Sequence, residues 1–390
     1  MLNVHFLNSN TYKLSAMAFW FLSYFLFANT QHVINLNYFF LLLPTLLTIS
    51  FIELRHYVSN KLVWILIAYL ITTIAAAFHS GNPSSQAIYC FVVFLFYLTV
   101  YRLPPINTQQ ESKLAWAWFS VVLVYAVFNL AIAWHSGTWH FGERLVISSA
   151  FIDNPIYVAD LLTIGLAMIS FTALRSGKFA QLCVAHVITL FVGLIILQSR
   201  SMLPVWLMVC LLTLAAGLVQ THYTQSKRHL LWLAVPAIIL VCILSSPTGI
   251  AILARADSYR FEIWQGYIHQ TIICGVWFGC GMDDGIHYVA NNGTPMAHAH
   301  NIFVANFAKT GLWGTILLLT LIVSSILHGL KKNQMAAWVL IAGVTAMLFD
   351  GSSLIKSPNE RWILIHLPLA YLIKKMVEEK YSPLGKPKTQ

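Results

Sequence analysis

A chain of 390 residues that is 58% hydrophobic and 9% charged, with a mean hydropathy of +0.71, has too few charges to clothe a soluble domain of its size. The fold class is all-α polytopic membrane protein. A formal net charge of +10 invites a nucleic-acid reading. The charges, however, sit at the ends of apolar runs on alternate sides, which is the membrane-orientation pattern, and no nucleic-acid partner is expected.

Apolar runs long enough to cross ~30 Å of hydrocarbon fall at residues 14–28, 33–52, 62–78, 86–101, 114–134, 156–174, 182–198, 202–220, 230–247, 312–330, 335–350 and 362–374. They predict about twelve spans, with both termini on one side. The first run is preceded only by Lys13 and followed by no small-residue cleavage site, so it reads as a retained helix. An inner N-terminus places Arg55, Lys61, Arg102, Lys113, Arg175, Lys178, Lys331 and Lys332 inside. The outer side receives fewer cations, mixed with acids, as the positive-inside rule requires. Residues 1–390 thus read as a single integral membrane domain with cytoplasmic termini, and residues 248–311 as one long periplasmic loop. Two shorter outer segments are residues 134–155, with Arg144 and Asn154-Pro155, and the turn 198–201, with Arg200 at its tip.

The long loop opens with Arg255 and Arg260. Phe261, Trp264, Tyr267 and Ile268 then recur at helical spacing, predicting an amphipathic helix on the outer leaflet. Arg200, Arg255 and Arg260 have a bland reading as snorkelling side chains or solvated ion pairs. Their functional reading is a diphosphate site, because a guanidinium carries a fixed fork of donors and never loses its charge. Gly275, Gly279, Gly281 and Gly285 allow tight reversals or close approach to a ligand. Asp283 and Asp284 read as a solvated pair sooner than as a cation site. Cys274 and Cys280 can pair if the loop faces an oxidising space, and the other four cysteines read as small hydrophobes.

The loop ends in the run His298 to Asn301. Histidine can take a proton from a hydroxyl near neutral pH, and Asn301 is placed to cap the following helix. Interfacial structural histidines are the plain alternative. Zinc is the other, although no third ligand stands at metal-type spacing in the sequence, so neither metal nor cofactor is expected.

These features together resemble the O-antigen ligase and polymerase superfamily, most closely the O-antigen ligases (WaaL). The resemblance rests on the span count, the loop between the ninth and tenth spans, Arg200 in QSRS, Arg260 and Trp264 in RxxxW, FGCG, and His300-Asn301 followed by Gly311 and Gly314. It implies a GT-C-like, metal-independent, inverting glycosyltransferase of the bacterial inner membrane. Such an enzyme moves a polysaccharide from undecaprenyl diphosphate to a sugar hydroxyl of lipid A-core. By that resemblance His300 is the base, with His298 as its stand-in, and Arg200, Arg255 and Arg260 hold the diphosphate. Asn301, Trp264, Gly311, Gly314 and Arg144 are supporting residues. Polymerases (Wzy) and protein O-oligosaccharyltransferases share this loop logic and are the alternatives. A lipid-linked glycan transporter would instead need charge near mid-membrane, where Asp160 is almost the lone carboxylate candidate.

Overall fold

The computed structural model describes residues 4–147, 149–220, 223–247, 249–250, 259–282, 288–289, 295–296 and 298–381. After a short turn at Val4–Leu7 the helices run α1 Asn10–Leu26, α2 Thr30–Thr48, α3 Phe51–Val58, α4 Lys61–His79, α5 Pro83–Tyr101, α6 Thr108–His135 and α7 Pro155–Ser176. They continue as α8 Phe179–Ile196, α9 Met202–Gln220, α10 Tyr223–Leu244, α11 Arg260–Gly275, α12 Ile302–Lys331, α13 Met335–Met347 and α14 Leu367–Tyr381, the last preceded by a π turn at Trp362–His366. A two-residue hairpin pairs β1 Tyr288–Val289 antiparallel with β2 Pro295–Met296.

Each predicted apolar run falls on a helical segment. Six helices among the described residues are long and apolar enough by themselves to cross a bilayer: α4, α5, α6, α7, α8 and α12. A seventh span arises if α2 and α3, bent by 99°, count as one. Helices α9, α10 and α13 have shorter apolar stretches. The sequence supplies its own punctuation. Ser9, Asn29, Asn60, Asn154 and Asn301 cap helix starts through their side chains, and Ser50 with Glu53 and Asn107 with Gln110 form reciprocal capping boxes.

Helix α7 is the axis of the molecule. Every residue from Val158 to Ala173 is buried, because α6, α8, α9 and α13 pack around it. A helix apolar on all sides is stable only when sheathed in this way. Its N-terminal end, opened by Asn154-Pro155, therefore lies at the centre of one face of the bundle.

The amphipathic helix is present as α11, but its buried side differs from the one expected. Ile263, Tyr267 and Thr271 face inward, while Phe261 and Ile268 are exposed. The reason is its docking partner. Ile263 and Tyr267 pack against Ala299, Ala305 and Ala308 at the start of α12, and the Tyr267 hydroxyl donates to the Met296 carbonyl at 3.3 Å. The small side chains on α12 leave room for this close approach.

Cys274 and Cys280 form a disulfide that closes the reversal after α11. This stapled turn docks on a break in α12. Gly311 sits at φ 65°, ψ −162°, a conformation that only glycine adopts comfortably, and a Cβ there would collide with the Trp277–Phe278 backbone. The interrupted backbone groups find partners across the contact: Leu312 N–H donates to Val276 O at 2.8 Å, and Cys280 N–H to Ala308 O at 2.8 Å.

Candidate active site

The site is assembled at the N-terminal end of α7 from four segments far apart in sequence. Asn301 fixes the first. Its side-chain oxygen accepts from the Phe303 and Val304 N–H groups, while its Nδ2 donates to Leu348 O at 3.0 Å. One asparagine thus starts α12 and ties it to the end of α13. The preceding residue, His300, is forced into a left-handed conformation at φ 49°, which turns its ring toward the segment after α13.

There it meets Asp350. His300 Nδ1 lies 3.3 Å from Asp350 Oδ1, at the long edge of a hydrogen bond, and His298 Nε2 lies 3.8 Å from the same oxygen, in electrostatic contact only. The two rings are 4.0 Å apart. Both histidines are partly exposed, whereas Asp350 is buried. Burial alone would raise the Asp350 carboxyl. The two imidazoles and the Gly351 N–H, 2.7 Å from Oδ1, more than offset it and hold the carboxyl well below its usual range. Asp350 is therefore an anion that accepts Nδ1–H, which leaves Nε2 of His300 as the basic nitrogen.

In the sequence Asp350 is only the polar residue that closes the apolar run 335–350. In space it is also the third group that sequence spacing lacked: donor atoms of His298, His300 and Asp350 lie within 4.8 Å of one another. This arrangement can hold a divalent cation.

Arg361 braces the Asp350 segment. Its guanidinium donates to Glu360 Oε1 at 3.1 and 3.0 Å, to Ser352 Oγ at 2.9 Å and to Ser353 O at 2.8 Å. Behind it, His366 bridges Tyr97 Oη at 3.1 Å and Leu354 O at 3.0 Å. Neither role could be anticipated from the sequence, because both residues act by closing a loop onto itself.

Arg260 is the first residue of α11, and Trp264 lies one turn on, along the same side. The indole N–H of Trp264 is buried without a partner among the described residues. Glu262 accepts from Tyr288 Oη at 3.0 Å, which ties the hairpin to this helix. Arg200 stands in the turn between α8 and α9. Gln198 Nε2 donates to Gly142 O at 2.8 Å and Leu145 N–H to Ile196 O at 3.0 Å, so the segment carrying Arg144 is stitched to that turn. Arg144 itself is exposed. Arg255, and with it Asp283, Asp284 and Gly285, lies outside the described residues. Gly311 is the docking point described above, and Gly314 packs on the Thr310 side chain, so both act through the shape of α12.

Asp160 relates these segments to one another. Asp160, one turn into α7 and fully buried, interacts electrostatically with Arg260 and Asp350 and lies beside the Ser201 hydroxyl, next to Arg200. Of the four described non-glycine residues with positive φ, three flank or form the site: Gln198, Tyr259 and His300. Such conformations cost on the order of 1 kcal/mol or more each and concentrate where side chains must be aimed.

Over 135 residues the chain is 31% identical to a curated protein named O-antigen ligase from Pseudomonas aeruginosa PAO1. The chain spans about one third of the length of that relative, and the match covers 33% of either sequence. No protein-family model matches the chain.

Proposed function

We propose that the chain is an O-antigen ligase-type glycosyltransferase that moves a polysaccharide from undecaprenyl diphosphate to a sugar hydroxyl of lipid A-core. The observation that carries the proposal is the buried Asp350 anion against His300, with Arg260 brought to the same end of α7. Similarity to the named relative supports the substrate class.

In this reading His300 Nε2 accepts the proton of the acceptor hydroxyl as that oxygen attacks C1 of the donor sugar. Asp350 keeps Nδ1 protonated and steadies the imidazolium that forms. Base catalysis of this kind contributes ~10²- to 10⁴-fold. The C1–O bond to the diphosphate breaks on the opposite face, giving inversion, and negative charge gathers on the leaving group. Arg200, Arg255 and Arg260 neutralise it, each preorganised contact contributing ~2.7 to 4 kcal/mol. The mechanism needs no metal.

The proposal includes twelve membrane passages, cytoplasmic termini, an inner-membrane location and a periplasmic site. The disulfide supports that side, because cystines persist in oxidising compartments.

The test is a lipopolysaccharide gel of a deletion strain complemented with wild type, His300→Ala or Arg260→Ala at matched membrane levels. Wild type is expected to restore the full ladder. Both variants are expected to leave bare core and an accumulating undecaprenyl-linked polymer. A deletion strain that still caps core with a single repeat unit would assign the protein to polymerisation instead.

A further inference from the structure

Asp160 presents a problem that the mechanism above leaves unsolved. The side chain is fully buried in the most enclosed helix of the bundle, and neither carboxylate oxygen makes a hydrogen bond of normal geometry to a described residue. An unpaired carboxylate in apolar surroundings is among the most costly groups a fold can contain, unless a cation answers it. Asp350, a few residues beyond α13, makes the position worse, since its negative charge also reaches Asp160. The nearby hydroxyl of Ser201 can soften the burial but not neutralise it.

Arg260 supplies positive charge at this point. It belongs to α11, which is otherwise held to the bundle through the start of α12. Immediately before it, at the N-cap of α11, Tyr259 takes a left-handed conformation at φ 62°, ψ 15°. Arg260 is half-buried and stands at the junction of this left-handed residue and the helix, within electrostatic reach of the buried carboxylate.

We propose that Asp160 is a positioning residue that holds the Arg260 guanidinium at the head of α7, so that Arg260 meets the donor diphosphate already oriented. The proposal rests on the assignment of Arg260 to that diphosphate. It gives α7 a function besides packing: the axis of the bundle carries the anion that docks the loop helix. A guanidinium has five donors, so it can face Asp160 and still present a second edge to phosphate oxygens. Asp160 touches no reacting atom.

The test is a double-mutant cycle on the full chain in nanodiscs, reading the affinity for undecaprenyl diphosphate by titration. Arg260→Ala and Asp160→Asn are each expected to weaken binding by about 10-fold or more, and the double variant to match Arg260→Ala within about threefold. The Asn substitution is isosteric. Should it prevent folding, Asp160→Ser enters the same cycle. An Asp160 variant that binds as wild type does, or more tightly, while Arg260→Ala binds weakly overturns the positioning role and leaves the diphosphate assignment standing. Losses that multiply in the double variant also overturn it. Wild-type affinity in Arg260→Ala would instead remove the diphosphate assignment itself, and the positioning role with it.

Discussion

Replacing Asp350 by Asn tests the acid–base pair with the least structural disturbance. The Asn oxygen can still accept the Gly351 N–H, now 2.7 Å from Oδ1, so the turn after α13 keeps its closing bond. What is lost is the anion facing His300 Nδ1 at 3.3 Å. A hydrogen bond to a charged group is worth ~1.5 to 3 kcal/mol, and ~1.36 kcal/mol corresponds to tenfold in rate, so that loss alone predicts a slowing of about 10- to 150-fold. If the amide turns its NH₂ toward Nδ1, the ring proton moves to Nε2, and the penalty approaches the ~10⁴-fold seen when a triad carboxylate is neutralised. The assay is transfer of purified undecaprenyl-linked polysaccharide to lipid A-core in nanodiscs, followed on gels over time. The expected result is kcat reduced by about 10- to 10⁴-fold with donor KM changed by less than about threefold, and no further loss when Asp350→Asn is added to His300→Ala. Wild-type kcat in Asp350→Asn, or losses that multiply in the double variant, would refute the dyad.

Chelation with EDTA should leave transfer unchanged if His298, His300 and Asp350 act as acid–base groups; loss that zinc or magnesium restores would show that they hold a cation. Arg361→Ala strands Glu360 in a buried pocket and should cost about 3 to 5 kcal/mol, read as a lower thermal midpoint in detergent. Gly311→Ala places a Cβ against the Trp277–Phe278 backbone at a conformation reserved for glycine, so folded yield should collapse, while Gly81→Ala, with open space around it but φ 77°, should cost only about 1 kcal/mol by the same melt. The Cys274→Ser/Cys280→Ser variant should melt lower by about 2 kcal/mol of stability yet still ligate, and Cys274 and Cys280 of wild type should take up alkylating reagent only after reduction.

What the sequence shows of this molecule is what local rules can encode. Apolar runs find their helices because burial and backbone satisfaction in lipid leave no other choice, and Asn301 declares itself as a cap by type and position. The two histidines are legible for the same reason, being adjacent polar groups at a helix start. Asp350 is not, because its meaning depends on α12 and α13 folding back until residues fifty positions apart share a hydrogen bond. The inward side of α11 is misjudged on similar grounds: with Phe261, Ile263, Tyr267, Ile268 and Ile272 all apolar, hydrophobicity alone offers two faces, and the small alanines of α12 choose between them.

Asp160 shows how far such reading can mislead in a membrane chain. A carboxylate inside an apolar run suggests a conducted ion or a coupling site, which is why it stands as the transporter's lone support in the sequence. Its position one turn below Asn154-Pro155 puts it at the head of α7, beside Ser201, Arg260 and Asp350, and not at mid-helix. Depth along the helix separates the two meanings, since a coupling site needs access from both faces and this carboxylate is enclosed by the elements that build one site on one face. The left-handed residues Gln198, Tyr259 and His300 lie on those same elements. Strain in three loops and an anion in the central helix are thus features of one construction, in which the rigid bundle orients side chains that the loops alone could not hold.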